Sequence, residues 1–285
     1  MMKKVLEVRG KAGRHWVGNG FPVRSMFSYR SHPQVLSPFL LLDHAGPAEF
    51  APTRMPRGVG QHPHRGFETV TIVYQGEVAH RDSTGEGGVV GPGDVQWMTA
   101  GRGIVHEEFH SPGFTAKGGT LEMVQLWVNL PAKDKMTTPA YQGIRDERIP
   151  SVQLNKGAGS VRVIAGEYKG IAGPASTFTP LNLWDVQLKA DSQSQFLLPD
   201  GWGAGLAVLQ GEVRVNGETK ASGSELVVLT AEGQEISVEA MADTRLLLLS
   251  GEPIDEPVVG QGPFVMNSYD EIEQAFRDFQ RGDFS

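Results

Sequence analysis

The amino-acid sequence predicts an all-β protein of two tandem barrel units that ends in a short helix. The chain of 285 residues contains 36 glycines and 18 prolines. Short apolar and β-branched runs recur between glycine turns, for example ETVTIVY at 68–74, LEMVQLWVNL at 121–130, SVRVIAG at 160–166 and TRLLLLSG at 244–251. The spacing of these runs is typical of an antiparallel sandwich or barrel.

An internal repeat indicates that the two halves of the chain share one plan. The tetrapeptide QGEV occurs at Gln75–Val78 and again at Gln210–Val213. Each copy follows an apolar strand, TIVY in the first and LAVL in the second. Each is followed by a glycine turn and another strand, which ends in MTAG or LTAEG. The matched order favours duplication of one jelly-roll-like β-barrel unit.

A polar segment separates the two copies. Residues 131–151, PAKDKMTTPAYQGIRDERIPS, combine prolines and charges that interrupt the strand pattern. We therefore expect an N-terminal domain over residues 1–140 and a C-terminal domain over residues 141–285. Each would have the size of an ordinary single domain.

The clearest helix lies in NSYDEIEQAFRDFQRGDF, at residues 267–284. Ser268 and Glu271 have the spacing of a capping box. Four apolar residues then recur at helical spacing with charges between them: Tyr269, Ile272, Phe276 and Phe279. The pattern predicts a helix whose apolar face docks on a sheet, and the alternative is a helix that binds a partner.

The composition excludes several kinds of site and partner. The chain has no cysteine, which excludes disulfides, thiolate nucleophiles and cysteine-ligated zinc. Its net charge of −7 argues against direct binding of nucleic acid. The N-terminal MMKKVLEVRG lacks the apolar run of a secretory signal, and the apolar runs elsewhere are too short to span a bilayer. We expect a cytoplasmic protein that acts without a membrane.

Two short pairs of residues form the candidate site for chemistry. His62 and His64 are two residues apart, and His106 and Glu108 have the same spacing. On a strand, side chains two residues apart point to the same face, so two such pairs on facing strands of a barrel would converge. Three imidazoles and one carboxylate suit Fe²⁺, Mn²⁺, Co²⁺, Ni²⁺, Cu²⁺ or Zn²⁺. An octahedral ion held in this way would keep two positions open for substrate and for O₂ or water.

The residues alone leave open which carboxylate completes the set. Glu68 shares strand parity with His64 and competes with Glu108 for this role. His110 shares strand parity with His106, and a surface position is its simpler interpretation. The remaining histidines are interpreted as solvated or isolated: His15, His32, His44 and His80.

The second copy of the repeat predicts no histidine metal site. The positions that correspond there to His62 and His64 are Leu197 and Pro199, and no histidine follows His110. We therefore expect one barrel to carry the chemistry and the other to be structural.

In their order along the chain, the motifs resemble those of the pirins, two-barrel proteins of the cupin superfamily. The resemblance covers nearly the whole chain and rests on SPFLLLDHAGP, HPHRGFETVTIVYQGEV, GPGDVQWMTAGRGIVHEEF, VQLWVNLP and GEPIDEPVVGQGPFVMNSYDEI. It implies two tandem cupin domains packed face to face, with one metal ion in the N-terminal domain. The implied ligands are His62, His64, His106 and Glu108. Glu108 would take the carboxylate place that general cupins more often give to a residue in the position of Glu68.

The resemblance also implies an activity. Bacterial pirin-like proteins are associated with quercetinase activity, the O₂-dependent opening of a flavonol ring with release of carbon monoxide. Their metal is usually assigned as iron. Glu108 would take the proton of the flavonol 3-hydroxyl group. Four large side chains are expected to line an apolar pocket or to fill the barrel core: Trp97, Met98, Met123 and Trp127.

Two other functions fit the same resemblance. The first is a regulator that binds a transcription factor or a metabolic enzyme and uses its metal as a redox sensor. The second is a storage or purely structural two-barrel protein.

Overall fold

The computed structural model of the chain describes residues 1–30 and 35–284, so His32 lies outside the described residues. Strands dominate the described chain, as predicted. The first half contains β1 (Val5–Arg9), β2 (His15–Val17), β3 (Phe21–Ser28), β4 (Phe39–Phe50), β5 (Gly58–His64), β6 (Phe67–Gln75), β7 (Val78–Asp82), β8 (Gly87–Val90), β9 (Val95–Thr99), β10 (Ile104–His110), β11 (Gly119–Asn129) and β12 (Ala140–Ile144).

The second half contains β13 (Ser151–Gln153), β14 (Gly159–Ala165), β15 (Glu167–Tyr168), β16 (Ile171–Ala172), β17 (Leu181–Leu188), β18 (Ser192–Leu197), β19 (Gly203–Gln210), β20 (Glu212–Val215), β21 (Thr219–Ser222), β22 (Glu225–Leu229), β23 (Glu235–Ala240), β24 (Thr244–Gly251), β25 (Val259–Gln261) and β26 (Phe264–Met266). The helices are α1 (Pro112–Lys117) and α2 (Tyr269–Arg281), with short 3-10 helices at Ala132–Asp134, Asp146–Arg148 and Asn155–Gly157.

One compact unit, which we call the first barrel, contains residues 13–25, 40–146 and 255–285. Its larger sheet has the order β12-β9-β6-β11-β4-β3-β2, and its smaller sheet has the order β5-β10-β7-β8. Buried and half-buried residues alternate along β10, as expected for a strand with one face toward a core. Apolar side chains of both sheets form part of that core, including Phe21, Val73, Val78 and Met123.

The other compact unit, the second barrel, contains residues 1–12, 26–39 and 147–254. Its two larger sheets have the orders β1-β22-β19-β24-β17-β14-β13 and β18-β23-β20-β21. Aliphatic and aromatic side chains form its core cluster, among them Tyr168, Trp184, Phe196 and Leu248.

The strand orders confirm the repeat. In the larger sheets, β9, β6 and β11 hold the places that β22, β19 and β24 hold in the second barrel, and β5-β10-β7-β8 corresponds to β18-β23-β20-β21. The glycines of both QGEV copies, Gly76 and Gly211, have positive φ angles of 79° and 87°. A Cβ atom on Gly211 would lie 2.3 Å from Thr244 Oγ1. The repeated glycine is therefore needed for the turn that joins corresponding strands.

The two units do not follow the predicted division between residues 140 and 141. Each unit is made of three separate segments. β1 pairs with β22 and so joins the second barrel. The C-terminal segment returns to the first barrel, where Arg65 forms an ion pair with Asp278 at 2.7 Å. Contacts between residues remote in sequence therefore place the N-terminal strand in the second barrel and the C-terminal segment in the first. Local composition, from which the boundary was predicted, contains no signal for such contacts.

The C-terminal helix begins as predicted. Ser268 Oγ accepts a hydrogen bond from the Glu271 backbone N–H, and the Glu271 carboxylate accepts one from the Asn267 N–H. Ile272 and Ala275 are buried. The prediction that Tyr269 shares the docked face is wrong, because Tyr269 is 74% exposed. Phe279 lies at the edge of that face, since its ring contacts Phe264 of β26 with centroids 6.5 Å apart. Neither described helix is long and apolar enough to cross a membrane.

Candidate metal centre

Strand pairing brings the two short motifs together. β10 runs antiparallel to β5, with His106 opposite His62 and Ile104 opposite His64. The motifs therefore lie on neighbouring, hydrogen-bonded strands, and the prediction of facing strands is wrong. Side chains directly opposite each other on paired strands have Cβ atoms about 5 Å apart. Cross-strand pairing, rather than barrel closure, places these imidazoles together.

Three imidazoles form a compact cluster, which we call the histidine triad: His62, His64 and His106. One ligand nitrogen from each lies within 4.8 Å of the others. The ring centroids are 4.3 Å apart for His62 and His106, and 4.9 Å apart for His64 and His106. Within the described residues, His64 Nδ1 and both ring nitrogens of His106 are buried without a hydrogen-bond partner. Buried polar atoms rarely lack partners, so the triad fits a metal ion.

The local electrostatics prepare the triad for a cation. His62 Nδ1 lies 2.8 Å from the Gly60 carbonyl oxygen, so Nδ1–H donates there and Nε2 keeps its lone pair. Burial lowers the pKa of His62, and it lowers the pKa of His64 to about 3. Burial and the neighbouring imidazoles hold the pKa of His106 well below its usual range. All three rings are neutral at pH 7, which is the form that binds metals.

Glu108 lies beside the triad without joining its cluster. The β5–β10 register shifts between His106 and Glu108, so that Glu108 pairs with Val59. A bulge of this kind re-aims side chains next to it. Glu108 nevertheless lines the same pocket as His62 and His64. Its role as a fourth ligand stays a prediction.

The Glu108 carboxylate is held in a low-polarity site. Thr71 Oγ1 lies 3.5 Å from Glu108 Oε1 and 2.9 Å from Gln125 Oε1. Burial raises the pKa of Glu108 to about 7, against the lowering effect of the Thr71 hydroxyl. A carboxyl group with a pKa near neutrality can accept and return a proton at pH 7.

Glu68 lies on the other face of the larger sheet. It pairs with Thr99 in the β6–β9 register and accepts a 2.7 Å hydrogen bond from Thr99 Oγ1. Thr71, which contacts Glu108, is an odd number of residues away on β6 and so faces the opposite way. The prediction that Glu68 and His64 point to the same face of one strand is wrong, because a turn at Gly66 separates β5, which carries His64, from β6, which carries Glu68.

A pocket of about 350 Å³ opens beside the triad. Most of its lining is apolar: Val17, Phe21, Val23, Val59, Met123 and Trp127. Two of the four large side chains named from the sequence, Met123 and Trp127, therefore line it. Trp97 and Met98 are fully buried core residues. The pocket has the size and lining of a small-molecule site.

Three other histidines are more buried than predicted. His44 lies on β4, with Nε2 3.2 Å from the Glu122 carboxylate. His110 is buried, and its Nε2 lies 2.9 Å from the Gly20 carbonyl oxygen. His80 is half-buried and stacks on Tyr141 with ring centroids 5.3 Å apart. The predictions that these three histidines are isolated or exposed are wrong, because their partners lie far away along the chain.

Sequence reasoning missed three polar residues of the pocket region: Asp43, Thr71 and Gln125. A signal was present, because each is a polar residue inside an otherwise apolar strand run, FLLLDH, ETVTIVY or LEMVQLWVNL. Buried polar residues in such runs need a hydrogen-bond partner. The partner's identity, however, depends on which strands pair.

Metal binding is expected to release a proton at pH 6 and almost none at pH 8. With a pKa of about 7, the Glu108 carboxyl group is about 90% protonated at pH 6 and about 10% protonated at pH 8. His64, with a pKa of about 3, is neutral at both pH values and contributes no proton. Calorimetric titration of metal-free protein in buffers of different ionisation enthalpy measures the number released. Glu108→Gln should release fewer protons than the unmodified protein at pH 6, and an equal value would exclude Glu108 as the source.

The fold and the site together define a class: a protein of two cupin barrels with a candidate metal centre in one of them. Residues 20–128 match the family model described as Pirin, and residues 183–285 match the one described as Pirin C-terminal cupin domain. The chain belongs to the pirin family.

Comparison with known proteins agrees across nearly the full length. A Pseudomonas aeruginosa protein named "Putative quercetin 2,3-dioxygenase PA2418" is 58% identical over 283 residues, which cover 99% of both chains. The crystal structure of quercetin 2,3-dioxygenase from Acinetobacter baumannii is 52% identical, covers 100% of this chain and 99% of its own, and superposes with a TM-score of 0.98. A bacterial pirin from Escherichia coli, solved in complex with nickel(II), shares the fold at 24% identity, 87% and 99% coverage and a TM-score of 0.67.

Proposed function

We propose that this protein is a metal-dependent dioxygenase of the quercetin 2,3-dioxygenase type, which opens a flavonol or a related enolic substrate with O₂. The observation that carries the proposal is the neutral histidine triad at a largely apolar pocket of about 350 Å³. A flat aromatic enol matches that lining, since apolar walls bury its rings. The names of the two similar bacterial proteins support the same reaction class.

His62, His64 and His106 would hold the metal ion, and Glu108 would supply a fourth, oxygen ligand. We propose Fe²⁺ as the resident ion, and the same donors also accept Mn²⁺, Co²⁺, Ni²⁺, Cu²⁺ or Zn²⁺. When bound, the ion would polarise the enol oxygens and supply the redox chemistry that O₂ requires. The hydrogen bond from His62 Nδ1 to Gly60 fixes one ring orientation before any ion arrives.

Glu108 would act as the general base. The enol O–H bond of the substrate breaks, its proton moves to a Glu108 carboxylate oxygen, and the electron pair stays on the enolate. Thr71 would orient the carboxylate through its hydroxyl group. Val59 and Trp127 would cover the substrate rings and exclude water from the enolate. The regulatory alternative rests on the same triad and stays a prediction.

Detection of carbon monoxide tests this proposal. Protein purified without added metal is first analysed for its elements, then mixed with a flavonol anaerobically and exposed to O₂. We expect one equivalent each of carbon monoxide and of the depside ester per flavonol consumed. Release no greater than that of the metal-free control would rule out flavonol oxygenation.

A further inference from the structure

A half-buried polar pair, Asp43 and Ser25, lies at the largely apolar wall of the pocket. Asp43, on β4, lines the same pocket as His62 and His64. Its carboxylate accepts a 2.5 Å hydrogen bond from the Ser25 hydroxyl group. Ser25 lies on β3, two residues beyond Val23 and four beyond Phe21, and both of these residues line the pocket. The pair therefore continues the pocket-facing side of β3.

A carboxylate in this half-buried setting costs folding free energy unless hydrogen-bond donors satisfy it. Carboxylates have about four acceptor sites, and the Ser25 hydroxyl is the one hydrogen-bond donor that the described residues give Asp43. Burial raises the pKa of Asp43, against the Ser25 hydrogen bond and the charge of nearby His15. An apolar residue in place of Asp43 would pack equally well. Removal of a polar group from water costs free energy, and one hydrogen bond restores only part of it. Because Asp43 lines the pocket, its remaining acceptor sites can serve a ligand there.

We propose that Asp43 is a specificity residue, which accepts a hydrogen bond from a phenolic hydroxyl group on the substrate other than the enol that faces the triad. This inference rests on the proposed function and narrows its substrate class. The preferred substrates are enols that carry a second, hydroxylated ring edge. A phenolic hydroxyl fits better than an anion, because a carboxylate or phosphate there would face the negative charge of Asp43.

Recognition would then use two kinds of polar group in one pocket. The triad and Glu108 would meet the enol, and Asp43 would meet the second hydroxyl. Val23 and Met123 belong to the apolar lining of the same pocket. A site built to hydrogen-bond a substrate hydroxyl rejects the analogue that lacks it, since the buried acceptor is then left unpaired.

A double-mutant cycle between residue and ligand tests the inference. Anaerobic binding to the protein with its resident metal is measured by titration for 3-hydroxyflavone, 3,3′,4′-trihydroxyflavone and 3,5,7-trihydroxyflavone. Asp43→Ala should weaken one or both of the hydroxylated ligands by about 10- to 100-fold, the range for a hydrogen bond to a charged group. It should change the affinity for 3-hydroxyflavone by less than about 2-fold. Asp43→Asn, which keeps the size and one acceptor, should give an intermediate loss.

Val23→Ala provides the matched control, because it alters the same wall without removing an acceptor. We expect it to weaken all three ligands to a similar degree. Equal weakening of all three ligands by Asp43→Ala would overturn the inference while leaving the proposed function intact. If none of the three ligands binds the unmodified protein, both fail. Selective binding without carbon monoxide release would support the recognition role of Asp43 and reject oxygenation.

Discussion

His106→Ala is expected to abolish both metal retention and flavonol oxygenation. His106 stands opposite His62 and close to His64, and its two ring nitrogens have no partner among the described residues. Changes to groups that only support a metal ligand already cost about 10- to 100-fold in affinity, so removal of a ligand should exceed about 100-fold. The purified variant should contain less than a tenth, roughly, of the metal found in the unmodified protein.

Elemental analysis and carbon monoxide release measure the two effects separately. Lys117→Ala is a suitable control, since Lys117 lies in the same barrel, is exposed and does not line the pocket. It should keep both metal and activity. A His106→Ala protein that folds and retains stoichiometric metal would show that the triad is not the metal centre.

Glu108→Gln is expected to reduce kcat by about 10²- to 10⁴-fold, the range for loss of a general base. Glutamine keeps the size of the side chain and still accepts a hydrogen bond from Thr71, so the pocket shape is preserved. The triad should still bind the ion, with lower affinity. KM should change little, because apolar walls rather than the carboxylate bury most of the substrate.

Glu68→Gln is the matched control for this effect. Glu68 is also buried, and burial raises its pKa to about 7. Its side chain, however, accepts a hydrogen bond from Thr99 of β9, on the face of the sheet opposite to Thr71. Its replacement should leave kcat within about 3-fold of the unmodified value. Steady-state flavonol consumption under O₂, with metal content measured in parallel, compares the two variants. A larger loss for Glu68→Gln than for Glu108→Gln would reverse the assignment of the base.

The sequence predicted correctly those structural features that depend on interactions between residues close together in the chain. Alternation placed His106 and Glu108 on one face of a strand, and the buried and half-buried pattern of β10 confirms it. The QGEV repeat predicted duplicated barrels because its glycine must adopt a positive φ angle in each copy. Ser268 predicted the beginning of the C-terminal helix because its hydrogen-bond partner, Glu271, is only three residues away.

Errors arose where a partner lies far along the chain. The face of Glu68 was inferred across a turn that resets strand parity. His44 is predicted to be isolated and His110 to lie at the surface, yet their partners Glu122 and Gly20 lie 78 and 90 residues away along the chain. The compact units differ from the predicted domain division for a similar reason, because β1 and the C-terminal segment each join a barrel whose other strands are distant in sequence.

The sequence by itself determined the fold class, the duplication, the absence of cysteine chemistry and the residue types of the candidate metal centre. These follow from composition, short-range spacing and backbone preference, which act within a few residues. Only the tertiary structure decided that β5 pairs with β10, that Glu108 rather than Glu68 lines a pocket with His62 and His64, and that Asp43 lines the same pocket. The physical reason is that strand register is fixed by cross-strand hydrogen bonds and by the burial of one face, both of which join residues remote in sequence.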